Sequence, residues 1–343
     1  MEYYEEKQTY DNINELCNIY NYDIDVRYDR ICFHLKQSFH EKDNVEKDNV
    51  EKDNVEKDNV EKDNEKIAIL MDGMPRFYEH SIRSIKKFAS NYNNVDYFFS
   101  FWDVDGKINN LVKYKKSDYF EKDIISMNIV EQIFKEFKPV MLQFIKYSEY
   151  ECKINELCNL IKVPHETYGN NSYKSMIVSI SLINNIGIES FKQLQHIKKY
   201  KYFFKIRPDS IIDDYVDLKI LNNNIVTPLS NSHDVNINKI KISINEQMVF
   251  TGNFQHLCSY CNVYNQLLEL YEIIHNIDAS VPVKYFREVI MGYYIKIICN
   301  IDVKEVNIQT GIVRNDKILY YDKNKINVNK YITYDEYESL IKH

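Results

Sequence analysis

The chain has 343 residues, 44% of them hydrophobic, enough to bury a sizeable core as one large domain or two small ones. A net charge of −7, with no basic stripe or arginine cluster, argues against nucleic acid as the main partner. Only seven Gly and six Pro exclude a collagenous or loop-dominated chain, and no stretch reaches the roughly 18 apolar residues that span a membrane.

The opening MEYYEEKQTY has neither the basic nor the apolar region of a secretory signal. With seven cysteines, an odd number, a soluble cytoplasmic protein with free thiols is expected. Cys258-Ser-Tyr-Cys261 has no second CxxC to complete a zinc site and reads as a packed pair on one helix face.

Residues 1–40 form a short N-terminal extension, with a possible two-turn helix at 13–22 and a strand or helix at 26–35. The six residues INELCN at 13–18 recur at 154–159. Residues 41–64 repeat EKDNV four times and close with EKDN. Valine every fifth residue fits neither the helical nor the strand period, so no buried face can form and a disordered, solvated linker is expected. The five units carry −5 of the net charge and mark the boundary of a folded domain at 65–343.

IAILMDG (67–73) predicts a buried strand closing on an Asp-Gly turn, followed by a helix over 74–89 with Pro75 in its first turn. VDYFFSFW (95–102) is a second strand, ending in Asp103-Val104-Asp105-Gly106, and the strand–helix–strand order predicts a right-handed βαβ unit. A helix near Met127–Phe137 precedes a third strand at 139–147. Residues 148–171 are expected to run over the surface, and 172–200 to be helical with a break near Asn184–Gly187. NIVTPLS (224–230) is a further strand, followed by a polar loop at 231–245 and a strand at 246–252. Helices are expected at 254–274 and 283–298, a strand with a turn at 303–314, and a capping box at Thr333–Glu336.

KYFFKIRPDSII (201–212) carries the most chemistry. An aromatic strand stops at Pro208, so Arg207 and Asp209 sit where the strand ends. In an open α/β sheet ligands bind beyond the carboxyl ends of the strands, and an arginine with a carboxylate there suits a phosphate or metal-phosphate. A structural ion pair at a strand end uses the same two residues, and both readings stay open.

Taken together, DGMPRFYEHSIRSI, VDYFFSFWD, SYKSM, FFKIRPDSII and NEQMVFTG resemble a glycosyltransferase-like family found in large DNA viruses and some bacteria. The resemblance runs from about Lys66 to Ile308 and implies a GT-A-type, Rossmann-like α/β fold with a mixed, mostly parallel sheet flanked by helices. It implies transfer of a sugar from a nucleotide-sugar donor to a glycan, protein or lipid acceptor, with a host-cytoplasmic or virion location for a viral member. Gly73 and Arg76 would face the nucleotide, with Arg207, Asp103 and Asp105 as further binding residues. Asp209 would stand for the metal-binding carboxylate, holding Mn²⁺ or Mg²⁺ on the diphosphate. Glu246 would be the acceptor-side base that an inverting reaction needs.

The sequence departs from the family pattern in its DGMPR loop, in the residues before its tryptophan and in Glu246-Gln247. RPD in place of a DxD motif keeps a second reading open, a catalytically inactive nucleotide- or carbohydrate-binding or structural protein. The literal DxD, Asp103-Val104-Asp105, comes early in the chain for a metal motif of this fold, and a loop turn is its simpler reading. No GxxxxGK[ST] stretch occurs, which argues against a P-loop kinase.

Overall fold

The computed structural model describes residues 12–36, 65–76, 79–107, 121–124, 127–162, 171–194, 200–229, 235–237, 240–245, 248–277, 287–314, 317–321 and 329–341. Residues 12–20 form helix α1, and β1 (Tyr22–Arg27) and β2 (Arg30–Leu35) follow as an antiparallel hairpin. Then come β3 (Lys66–Gly73), α2 (Glu79–Ala89), β4 (Asn94–Trp102) and a small hairpin of β5 (Val104–Lys107) and β6 (Glu121–Ile124). Next are α3 (Met127–Phe137), β7 (Met141–Ile145), α4 (Tyr147–Leu160), α5 (Asn171–Lys192) and β8 (Tyr200–Ile206). Pro75 and Arg76 lie in the loop after β3 rather than in the first turn of α2.

Two further expectations fail in this half. Residues 147–160 form a helix where a surface excursion was expected, because Ile154, Cys158 and Ile161 share a face and are buried together. Helix α5 is continuous through Asn184–Gly187. Gly187 is there for space: a Cβ on it would meet Asp72 Oδ1 at 2.8 Å and Ser100 Oγ at 3.0 Å. Both copies of INELCN are helical, and each buries its Ile and Cys on one face (Ile13 and Cys17, Ile154 and Cys158).

The second half begins with β9 (Ser210–Ile212), β10 (Ile225–Pro228), the two-residue strands β11 (Asn236–Ile237) and β12 (Ile240–Lys241), and β13 (Met248–Thr251). Helices α6 (Phe254–Cys261), α7 (Leu267–Asn276) and α8 (Arg287–Tyr293) follow. The single helix expected over 254–274 is divided by a 3₁₀ turn at Asn262–Gln266, where Asn262 Oδ1 accepts from Asn185 Nδ2 at 2.9 Å. β14 (Val303–Val306), β15 (Thr310–Arg314), β16 (Lys317–Tyr321), β17 (Asn329–Thr333) and α9 (Tyr334–Ile341) complete the described elements. The capping box is present: Thr333 N donates to Glu336 Oε2 at 2.8 Å, and Glu336 N donates to Thr333 Oγ1 at 3.2 Å.

The main sheet has nine strands in the order β1-β2-β7-β4-β3-β8-β13-β10-β14. β7, β4, β3 and β8 are mutually parallel, and only β2 and β13 run against the other seven. The fold is therefore α/β with a mixed, mostly parallel sheet flanked by helices, as expected. One face packs Ala68, Leu70, Phe98, Trp102 and Phe203 against α4 to α8. The other packs Ile69, Met71, Phe99, Phe101 and Phe204 against α1, α2 and α3. A second sheet, β17-β16-β15-β9, grows from the chain just past the end of β8.

Residues 12–36, the expected N-terminal extension, thus supply a helix and two strands of the main sheet. β2 ends and β3 begins at the same edge, three strand spacings or about 15 Å apart. Thirty residues, 36–65, make that connection, although about five extended ones would reach. Deleting four EKDNV units should therefore change stability by no more than about 1 kcal/mol. Chemical denaturation of the shortened chain checks this, and a several-kcal/mol loss would show that the repeat holds the fold.

Candidate functional site

The carboxyl ends of β7, β4, β3 and β8 share one edge of the sheet. From β3 the chain crosses to β4 and then β7 on one side, and returns past β3 to place β8 on its other side. The switch point, where ligands bind in open α/β sheets, is therefore between β3 and β8. Gly73 and Arg76 stand at one of these two strand ends, Arg207 and Asp209 at the other. β13 begins at Met248 opposite Ile206, so the chain enters that strand at the same edge.

Gly73 has φ +123°, a conformation only glycine adopts readily, with open space where a Cβ would be. It turns the chain so that the Arg76 amide donates to the Met74 carbonyl at 2.7 Å, leaving Arg76 part-buried. Arg207 donates from Nε to Asp209 Oδ1 at 3.0 Å and from Nη2 to Oδ2 at 2.9 Å. Asp209 is 2% exposed, and its backbone carbonyl accepts from Val313 N at 2.8 Å, tying it to β15. A bidentate carboxylate fixes the guanidinium plane.

Asp103 is at the end of β4, but its Oδ1 accepts from Tyr147 N at 2.9 Å and opens helix α4. Burial pushes its carboxyl above the usual range, against the pull of that amide. Asp105 lies in β5, with its side chain outside the described residues; Glu246 is wholly outside them.

The metal implied by the resemblance does not fit the donors described. Both oxygens of Asp209 accept from Arg207, and among the described residues no group of three or more His, Cys, Asp or Glu could hold an ion.

Beneath this edge, on the α5 side, the apolar layer of the sheet is interrupted by a polar row. Asp72, Ser100 and Gln143 are in register on β3, β4 and β7, all buried. Gln143 Nε2 donates to Ser100 Oγ at 2.7 Å, Ser190 Oγ donates to Gln143 Oε1 at 3.1 Å, and Arg30 Nη1 donates to Ser190 Oγ at 3.2 Å. Arg30 in turn holds the Asp29 carboxyl down at about 2. At the β8 end Lys205 Nζ stands 3.2 Å from Asp72 Oδ2, with both side chains under a tenth exposed. Oδ2 makes no hydrogen bond of good geometry, so the contact is chiefly Coulombic. Burial pushes the Asp72 carboxyl up, with Lys205 acting against the rise. Tyr260 is fully buried within electrostatic reach of both Arg207 and Asp72, and burial pushes its hydroxyl up, keeping it protonated.

Sequence reasoning missed this row. Its signal was one polar residue inside each apolar run (MLQFI, YFFKI, AILMDG) of strands buried on both faces.

No family model and no curated protein matches the sequence. Among solved structures the chain is similar to one described as "crystal structure of a glycosyltransferase involved in the glycosylation of the major capsid of PBCV-1". The match has 12% identity and a TM-score of 0.26, over 71% of this chain and 83% of the other. That overlap is too loose to carry a residue or an activity across. Among the described residues no helix is long and apolar enough to cross a membrane.

Replacing Lys205 by Met strands a buried carboxylate and should cost about 3–5 kcal/mol at pH 7. The lone Asp72 would titrate above its unfolded value of about 3.9, so only its ionised form is penalised in the fold. The deficit should therefore shrink as pH falls from 7 towards 4. Denaturation across that range checks this; a deficit independent of pH would show that the charge of Asp72 is not its source.

Proposed function

We propose that the crevice between β3 and β8 binds the diphosphate of a nucleotide sugar and that the protein transfers the sugar to an acceptor. The observation that carries this reading is the placement of Gly73–Arg76 and Arg207–Asp209 on the two strand ends flanking the switch point. Numbering β3 as first, the parallel strands run 3-2-1-4, the order of nucleotide-binding α/β sheets, which supports a GT-A-type assignment.

In this reading the glycine turn lets backbone approach the phosphates, and the two arginines meet the charge that develops on the leaving diphosphate. Asp209 is a positioning residue that holds Arg207 flat. An acceptor hydroxyl oxygen bonds to the anomeric carbon, the bond from that carbon to the diphosphate oxygen breaks, and the hydroxyl proton passes to a base. For an inverting reaction Glu246, two residues before β13 in the sequence, is assigned that role. The donor set gives no step that runs through a metal.

A nucleoside diphosphate at a hundred times its dissociation constant should stabilise the protein by about 2.7 kcal/mol, read as a thermal shift. The shift should persist in EDTA, and Arg76→Ala should weaken binding about tenfold, or about 1.4 kcal/mol, without unfolding the chain. No shift with UDP, GDP or dTDP, with or without Mn²⁺, would sink the reading.

Binding without turnover is the second reading, favoured by the full engagement of Asp209 by Arg207. Release of nucleoside diphosphate from nucleotide sugars in the presence of acceptors decides between them. Glu246→Gln should abolish release about 100-fold or more while leaving binding unchanged; equal turnover in the variant would remove Glu246 from the reaction.

A further inference from the structure

A separate pocket of about 310 Å³ lies on the α2 side of the sheet, lined by Asp214, Tyr215, Asp217, Val306, Asn307 and Ile308 among others. Its size is at the lower end of small-molecule sites, which run from about 300 to 1,000 Å³. Its walls are the chain that leaves β9 and the chain that joins β14 to β15. We propose that it holds one pyranose ring of a glycan.

The walls are built to stay in place. Tyr92 Oη donates to the Val216 carbonyl at 3.0 Å and accepts from Val216 N at 2.9 Å. Gln309 N donates to Asp214 Oδ2 at 2.7 Å, and Asp213 N donates to the Gln309 carbonyl at 3.1 Å, stitching the two walls together. Tyr215 sits between the two pinned residues Asp214 and Val216, yet is 66% exposed. A large aromatic ring facing water from a fixed backbone is a stacking platform that needs little ordering when a ligand arrives.

The chemistry around the ring matches a sugar. A pyranose has an apolar C–H face and a rim of hydroxyls that both donate and accept. Val306 and Ile308 give apolar wall, and Tyr215 gives the flat face. Asp217 and Asn307, both exposed, give an acceptor and a mixed donor–acceptor for the hydroxyl rim. An ammonium group is the competing ligand for two carboxylates beside an aromatic ring. Here each carboxylate already accepts from a backbone amide, Asp214 from Gln309 and Asp217 from Lys219 at 3.0 Å, which lowers its pull on a bare cation. Hydroxyl donors suit a carboxylate such as Asp217, which already caps a backbone turn, better than a bare cation does.

The pocket and the switch-point crevice are joined by β9, which begins right after Asp209 and runs into Asp213 and Asp214. As a holding place for an acceptor glycan the pocket rests on the transfer reading; as a carbohydrate site it stands without it.

The test is saturation-transfer NMR on the full chain with methyl glycosides of glucose, galactose, mannose and N-acetylglucosamine, and with N-acetyl-lysine methylamide as a cationic probe. At least one glycoside should bind saturably. Tyr215→Ala should reduce its signal at least fivefold, and Tyr215→Trp should retain it. Because the ring is exposed, both variants should melt with the wild type. Arg76→Ala should weaken nucleotide binding and leave glycoside binding intact, whereas a wild-type chain that binds a glycoside but no nucleoside diphosphate would sink the transfer reading alone. Absence of glycoside binding, binding indifferent to Tyr215→Ala, or binding of the lysine probe only would each overturn the proposal.

Discussion

A buried charge pair at the centre of a parallel sheet is the constraint around which this fold is arranged. Asp72 and Lys205 lie on neighbouring strands in a layer otherwise filled by Ala68, Leu70, Phe98 and Phe203. Two ions in such a layer are tolerated only if geometry and neighbours offset their lost hydration. Gly187 supplies the room, since any larger residue there would press on the Asp72 carboxylate. Ser100 and Gln143 continue the polar level outwards to Ser190 and Arg30 through their own hydrogen bonds.

That layer sits directly beneath the edge where the strand connections diverge. The charges of Lys205 on β8 and of Arg207 just past its end are answered by Asp72 on the next strand and Asp209 on the following turn. Asp209 also belongs to the margin of the second sheet through its carbonyl and Val313. The guanidinium of Arg207 is thereby tied to two sheets at once, which holds its plane in place.

What could be read from sequence was where strands run and stop. β3, β4 and β8 are apolar runs ended by Asp-Gly, Trp-Asp and Arg-Pro-Asp, and α3 stands where a helix near Met127–Phe137 was expected. What carboxylates do at those ends was not legible. Asp103 and Asp209 look alike in sequence, but one opens a helix from another element and the other clamps an arginine. Gly187 read as a helix breaker because its purpose, clearance for Asp72, is set by a residue more than a hundred positions away. Helix α4 was lost because its buried face is sparse, with Tyr147, Ile154 and Cys158 spread over about three turns among charged neighbours.

The hairpin β1–β2 is the first part of the described sheet to leave the ribosome, yet its partner among the described strands is β7, whose first residue follows Arg30 by 111 positions. At ordinary rates of synthesis, about 5–20 residues per second, those strands wait roughly 5–20 s before their neighbour exists. During that interval β2 presents an open ladder containing Ile31, Cys32 and Phe33. The strand on its far side carries Asp23, Asp25 and Arg27, the kind of charged margin that discourages pairing with other nascent chains. The residues of the sheet made first thus pair with a strand made more than a hundred residues later.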